Sequence, residues 1–134
     1  MLNCLLTKLD GSLFEGEAEE IRIPGIEGDF GILPGHEKFI SLIDIGEVKI
    51  KINSDDTRTY LVKNGICQIL LDRIIIAVDH GILVDDIDKD LAKQSVRDDE
   101  ERIEKLEKNP DNNDGELVSH IKSRIEWYNK LIEY

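Results

Sequence analysis

The segment Glu47-Val48-Lys49-Ile50-Lys51-Ile52 sets Val48, Ile50 and Ile52 at alternate positions between charged side chains. Successive side chains of a strand point to opposite faces, so a period of two predicts a strand with one face buried. Asn53-Ser54-Asp55-Asp56 then turns the chain, and residues 57–62 return as the second arm of a hairpin.

The rest of residues 1–85 is punctuated in the same way. Residues 2–6 read as a strand followed by a turn at Asp10-Gly11-Ser12, and residues 18–23 as another closed by Pro24-Gly25. Glu27-Gly28-Asp29-Phe30-Gly31 and Pro34-Gly35-His36 read as tight loops around Ile32 and Leu33. Asn64-Gly65 is a turn signal, and residues 66–71 and 73–78 follow as two further strands separated by Asp72. Many short strands with glycine-rich turns point to a sandwich or flattened barrel.

From residue 86 to residue 134 the period becomes helical. Asp88 can cap a helix beginning at Lys89, with Ala92, Val96, Ile103 and Leu106 near one face. The run Asp98-Asp99-Glu100-Glu101 interrupts that stripe and reads as a solvated face. Residues 109–115 hold Pro110 among turn formers and read as a connector. A second helix over residues 116–132 carries Leu117, Ile121, Ile125, Tyr128 and Ile132 as an apolar stripe. The short connector predicts an antiparallel helical hairpin.

Composition narrows the function. The 29 acidic residues outnumber the 17 basic ones, for a formal charge of -12, and only 5% of residues are aromatic. Such a surface repels phosphate backbones and anionic lipid headgroups and offers bases few stacking platforms, so neither nucleic acid nor direct membrane insertion is expected. The longest apolar stretches are too short to span a bilayer, and the N-terminus lacks the pattern of a signal peptide. Cys4 and Cys67 lie among apolar residues and read as buried thiols. His36, His80 and His120 are widely separated, and no spacing marks a metal cluster, a phosphate-binding loop or a catalytic triad. These features describe a non-catalytic subunit of a larger assembly with no cofactor. On the residues alone, an unrelated adaptor module and a small enzyme remain open.

The segment Ile23-Pro24-Gly25-Ile26-Glu27-Gly28-Asp29-Phe30-Gly31-Ile32-Leu33-Pro34-Gly35-His36 resembles the signature region of the epsilon subunit of F1Fo ATP synthases. Leu13-Phe14-Glu15-Gly16 upstream, then Ile45-Gly46-Glu47-Val48-Lys49-Ile50 and Lys63-Asn64-Gly65-Ile66, follow in that family's order. The resemblance, which extends through the helical pair, implies a mainly β fold: an N-terminal ten-stranded β-sandwich or flattened barrel, then a C-terminal helical hairpin. It implies a central-stalk rotor subunit that binds gamma, rests on the ring of c subunits and couples proton flow to ATP synthesis. Conditional contacts of the helices with the alpha and beta subunits would inhibit ATP hydrolysis. The expected location is peripheral, on the cytoplasmic side of a bacterial inner membrane or on its organellar counterpart.

Carried over by position, Glu27, Gly28 and Gly31 frame a loop whose acidic residue, Asp29, faces the c ring. His36 falls near gamma, and Ser41 takes a small hydroxyl position in the same surface region. The chain departs from the family pattern at Leu83, where many members carry arginine, and at Leu91 of Ile87-Asp88-Lys89-Asp90-Leu91-Ala92, the arginine position of the motif by which some members bind ATP. An aliphatic side chain cannot supply the planar, multiply donating cation that holds a phosphate, so ATP sensing by the hairpin is not expected.

Overall fold

In the computed structural model, which describes residues 1–35, 37–108 and 115–134, the alternating segment lies within a long strand. Val48 and Ile50 are fully buried there and Lys49 is exposed, as the period of two requires. The elements are β1 (Leu2–Lys8), β2 (Gly11–Ala18), β3 (Glu20–Gly25), β4 (Gly28–Ile32), β5 (Phe39–Asn53), β6 (Asp56–Leu70), β7 (Arg73–Leu83), a 3-10 turn (Val84–Asp86), α1 (Lys89–Lys108) and α2 (Gly115–Glu133). The chain divides into two compact units, Met1–Asp86 and Ile87–Tyr134.

In the first unit the strands form one sheet in the order β2-β1-β7-β6-β5-β3-β4. β1 and β7 run parallel, and the other neighbours are antiparallel. The sheet rolls up because β2 and β3 are almost one strand. Ala18 pairs with Leu2 of β1, while two residues later Glu20 pairs with Lys51 of β5. Between them the Glu19 N–H donates to the Lys51 carbonyl at 2.7 Å. The inward face is aliphatic: Leu2, Leu6, Ile23, Ile50, Ile69 and Ile76 lose all contact with water. Each such burial contributes about 1.5–3 kcal/mol against leaving the side chain exposed.

The resemblance implied ten strands; among the described residues there are seven. β5 and β6 are each 15 residues long and pass through a bend without breaking. The register runs through Ile43↔Gly65 and Gly65↔Val78 on one side, and through Ile45↔Lys63 and Lys63↔His80 on the other. It skips Asp44, Asn64 and Asp79, so three neighbouring strands bend at one level. Asn64 takes φ 54 there, a left-handed conformation that asparagine tolerates better than most residues. The Asn64-Gly65 pair, expected to form a turn, is therefore an in-strand bend. A Cβ at Gly65 would collide with the Ala77 carbonyl oxygen and lie 2.9 Å from the Val78 Cα, so only glycine lets β6 and β7 approach. Two smaller expectations change as well. Glu19 divides the strand read over residues 18–23, and Pro24-Gly25 stays inside β3.

The second unit is a pair of helices. α1 starts where the capping residue predicts, with the Leu91 N–H donating to Asp88 Oδ1 at 3.1 Å. Lys105 and Lys108 occupy its last turn, where cations complement the helix dipole. The acidic run is only partly the solvated face expected of it: Asp98, Glu100 and Glu101 are exposed, and Asp99 is buried. Asp99 sits three residues from Val96 and four from Ile103, on the apolar stripe itself. It lies 3.7 Å from Arg102 of its own helix and 3.7 Å from Arg124 of α2. Arg124 in turn donates to the Tyr128 hydroxyl at 3.3 Å and lies over that ring. α2 buries Ile121, Trp127 and Leu131 most deeply, a face rotated from the expected stripe, whose Leu117, Ile125, Tyr128 and Ile132 are half-buried. Of the connector, residues 109–114 lie outside the described residues.

Two predictions follow from the sheet unit. Gly65→Ala should lower stability by about 2 kcal/mol or more, because the colliding atoms belong to backbone; chemical denaturation checks this. The free thiols of Cys4 and Cys67 are both pushed up to about 12 by burial, with Cys67 raising Cys4 further. A raised folded-state pKa stabilises fully below the unfolded value of 9.0 and loses that contribution as pH rises toward 12. Unfolding midpoints should therefore fall through that window, and fall less in a Cys4→Ala/Cys67→Ala variant.

Candidate interaction surfaces

The β3–β4 hairpin is shaped by what cannot fit inside it. A Cβ at Gly25 would lie 2.8 Å from the Gly28 carbonyl oxygen and 2.9 Å from the Phe30 ring, and Gly28 takes φ +131. The turn is therefore narrow, and it carries Glu27 and Asp29 exposed at its tip and first flank. Asp29 belongs to β4, a strand where a loop over Glu27-Gly28-Asp29-Phe30-Gly31 was expected. The Ile26 N–H donates to the Leu42 carbonyl at 3.0 Å, which ties the hairpin tip to the first half of β5. Phe30 and Phe39 meet edge to face across the two elements, 5.8 Å between centroids.

Between hairpin and β5 lies an open notch of about 620 Å³. Glu27, Asp29 and Ser41 all line it, together with Ile26, Phe39 and Ile40. Three of the four residues singled out from the sequence thus come together, and the Ser41 hydroxyl donates to the Leu42 carbonyl at 3.2 Å. The fourth, His36, lies outside the described residues. The turn just before it is anchored, since the Gly35 N–H donates to Asp72 Oδ1 at 3.2 Å, in the β6–β7 turn.

Beside the notch is a surface that the sequence reading missed. Register places Leu42, Ile66, Ala77 and Thr7 in one row across β5, β6, β7 and β1, and Ile40, Gln68, Ile75 and Leu5 in the next. These side chains point away from the core, whose rows alternate with them. Ile40 is 60% exposed, Leu42 57% and Ile66 41%. No charged residue lies in either row, in a chain with 29 acidic side chains. The rim carries both signs: Glu15 and Glu17 of β2 register beside β1, Asp44 and Asp79 mark the bend, and exposed Arg73 registers between Asn3 and Leu70 in the adjoining row. The signal was present in Ile74-Ile75-Ile76, an unbroken apolar run where a strand with one face in water should alternate.

Elements of chemistry stay apart. His80 registers with Lys63 in the sheet, His120 is exposed on α2, and no group of three or more metal-ligating side chains is assembled among the described residues. Leu83 packs half-buried against the sheet core and Leu91 is 61% exposed. What the first unit presents is an uncharged apolar face next to an acidic notch, an arrangement suited to docking on other proteins.

Comparison with known proteins shows the family and the fold. The family model for the ATP synthase delta/epsilon chain β-sandwich domain matches residues 1–84. An ATP synthase epsilon chain of Thermodesulfovibrio yellowstonii is 37% identical over 98 residues, covering 72% of this chain and 69% of the relative. An ATP synthase epsilon chain of Leptospira borgpetersenii is 30% identical over 124 residues, 92% of each chain. Among solved structures, a chain of the Euglena gracilis mitochondrial ATP synthase OSCP/F1/c-ring assembly shares the fold, with a TM-score of 0.66 and 18% identity. That match covers 97% of this chain and 78% of the other. The chain belongs to the ATP synthase epsilon-chain family and is a non-catalytic subunit of that complex.

Proposed function

We propose that this chain links gamma to the c ring in the central stalk of a membrane-associated F-type ATP synthase, coupling proton translocation to ATP synthesis. The observation that carries this reading is the uncharged outer face of β5, β6, β7 and β1. Ile40, Leu42 and Ile66 stand in water there. Covering them contributes on the order of a few kcal/mol, so this patch is the apolar centre of a larger contact rather than the whole of one. Gamma is the partner in that contact, and His36 is assigned to it by family position. The acidic tip at Glu27 and Asp29, with Ser41 behind it, meets basic positions on the c ring. The complex attaches the subunit peripherally, at the cytoplasmic face of a bacterial inner membrane or its organellar equivalent.

The helical unit is assigned a regulatory role, in which α1 and α2 separate and contact the alpha and beta subunits to inhibit ATP hydrolysis. Leu83 and Leu91 make that role independent of ATP binding to this chain, because neither side chain can donate to a phosphate.

Leu42→Asp and Ile66→Asp should each weaken capture of gamma about tenfold or more while leaving the unfolding midpoint nearly unchanged. Capture at wild-type strength by both variants overturns the docking assignment. Deleting residues 110–134 should leave gamma binding intact and change hydrolysis by the reconstituted complex. Unchanged hydrolysis across a range of ATP concentrations, at matched subunit occupancy, sinks the inhibitory role.

A further inference from the structure

Asp99 occupies a stripe position of α1 between Val96 and Ile103, where an aliphatic side chain would ordinarily close a helical pair. Its side chain is 4% exposed. The cation facing it across the pair, Arg124, is 3.7 Å away, and the nearer carboxylate atom, Oδ2, accepts no hydrogen bond among the described residues. Arg102 approaches the other oxygen, also at 3.7 Å, from a half-exposed position on the same helix. Arg124 keeps part of its hydration, but a carboxylate removed from water, as Asp99 is, is compensated only when its partner is close and its hydrogen bonds are complete. Neither condition is met here.

We infer that the Asp99–Arg124 pair is a latch that fixes the register of the α1–α2 hairpin while holding its closed state near the balance point with the open one. This rests on the reading of the helical unit as a regulatory element that opens. Register follows from burial. Sliding α2 by one turn would leave Asp99 buried without its cross-helix cation, so one pairing is selected. Poise follows from what opening does to each group. An aliphatic pair would lose its contacts and expose apolar surface, whereas Asp99 and Arg124 regain hydration that the closed state supplies only in part. Tyr128 keeps Arg124 aimed across the pair, by its hydroxyl and its ring, so closure finds the same register again.

The test is hydrogen exchange on the full-length chain, with sheet amides as the internal measure of folding. Arg124→Leu, which strips the cross-helix cation from a buried carboxylate, should remove most of the protection that closure gives the α1 and α2 amides. Asp99→Leu combined with Arg124→Leu should raise it about tenfold above wild type. A methionine pair at the two positions repeats the measurement where branched leucines overfill the space. Equal or lower protection than wild type in both double variants, with sheet amides unchanged, overturns the latch. Hydrolysis by the reconstituted complex is read in parallel. Raised protection with unaltered hydrolysis upholds the latch and overturns the inhibitory role. Lowered protection with altered hydrolysis overturns the latch and upholds that role.

Discussion

The first unit depends on a single residue at which the chain changes partners. Up to Ala18 the backbone pairs with β1, and from Glu20 it pairs with β5. The Glu19 N–H bond to Lys51 leaves no gap between the two ladders. Without that joint the seven strands would be an open sheet with an aliphatic face in water. With it, the β2 edge of the sheet is carried by continuous chain to β3, next to the other edge, and Leu2, Ile21 and Ile50 share one interior. Backbone hydrogen bonds set the closure, and apolar burial supplies the driving force.

Much of this was legible because it is local. The alternation in Val48, Ile50 and Ile52, the turn after Asn53 and the cap at Asp88 are each decided by a few neighbouring residues. What was not legible depends on residues distant in sequence. Asn64-Gly65 carries the same local signal whether it reverses a strand or bends one. Only the approach of Ala77 and Val78 decides between them. Strand count failed for the same reason, since a bend without a break turns two expected strands into one. Asp99 was read from its acidic neighbours, yet its spacing to Val96 and Ile103 already placed it on the buried side. The site followed this division too. Glu27, Asp29 and Ser41 could be named from a family motif, but their meeting in one notch required the seating of the β3–β4 hairpin on β5, and the apolar face beside it the register of β5 against β6.

Charge is distributed so that the two kinds of contact remain distinct. Acidic side chains tip the β3–β4 hairpin and charges of both signs rim the outer face, while the two rows through Leu42–Ile66 and Ile40–Gln68 hold none. A net charge of -12 opposes the approach of a second copy. A partner with cations around an apolar patch meets no such barrier. Such a layout lets overall charge discriminate among partners while an apolar centre supplies adhesion.

The bend at Asp44, Asn64 and Asp79 also has a mechanical meaning. β5, β6 and β7 run through it as unbroken backbone, so both halves of the unit are made from the same three strands. A sandwich of separate sheets resists sliding only through the packing of side chains between them. Here a twisting load applied to the outward rows passes into the far half along covalent chain, with the interstrand ladders loaded in shear, many bonds at once. The unit is stiff toward torque for a reason unrelated to how tightly its core is packed.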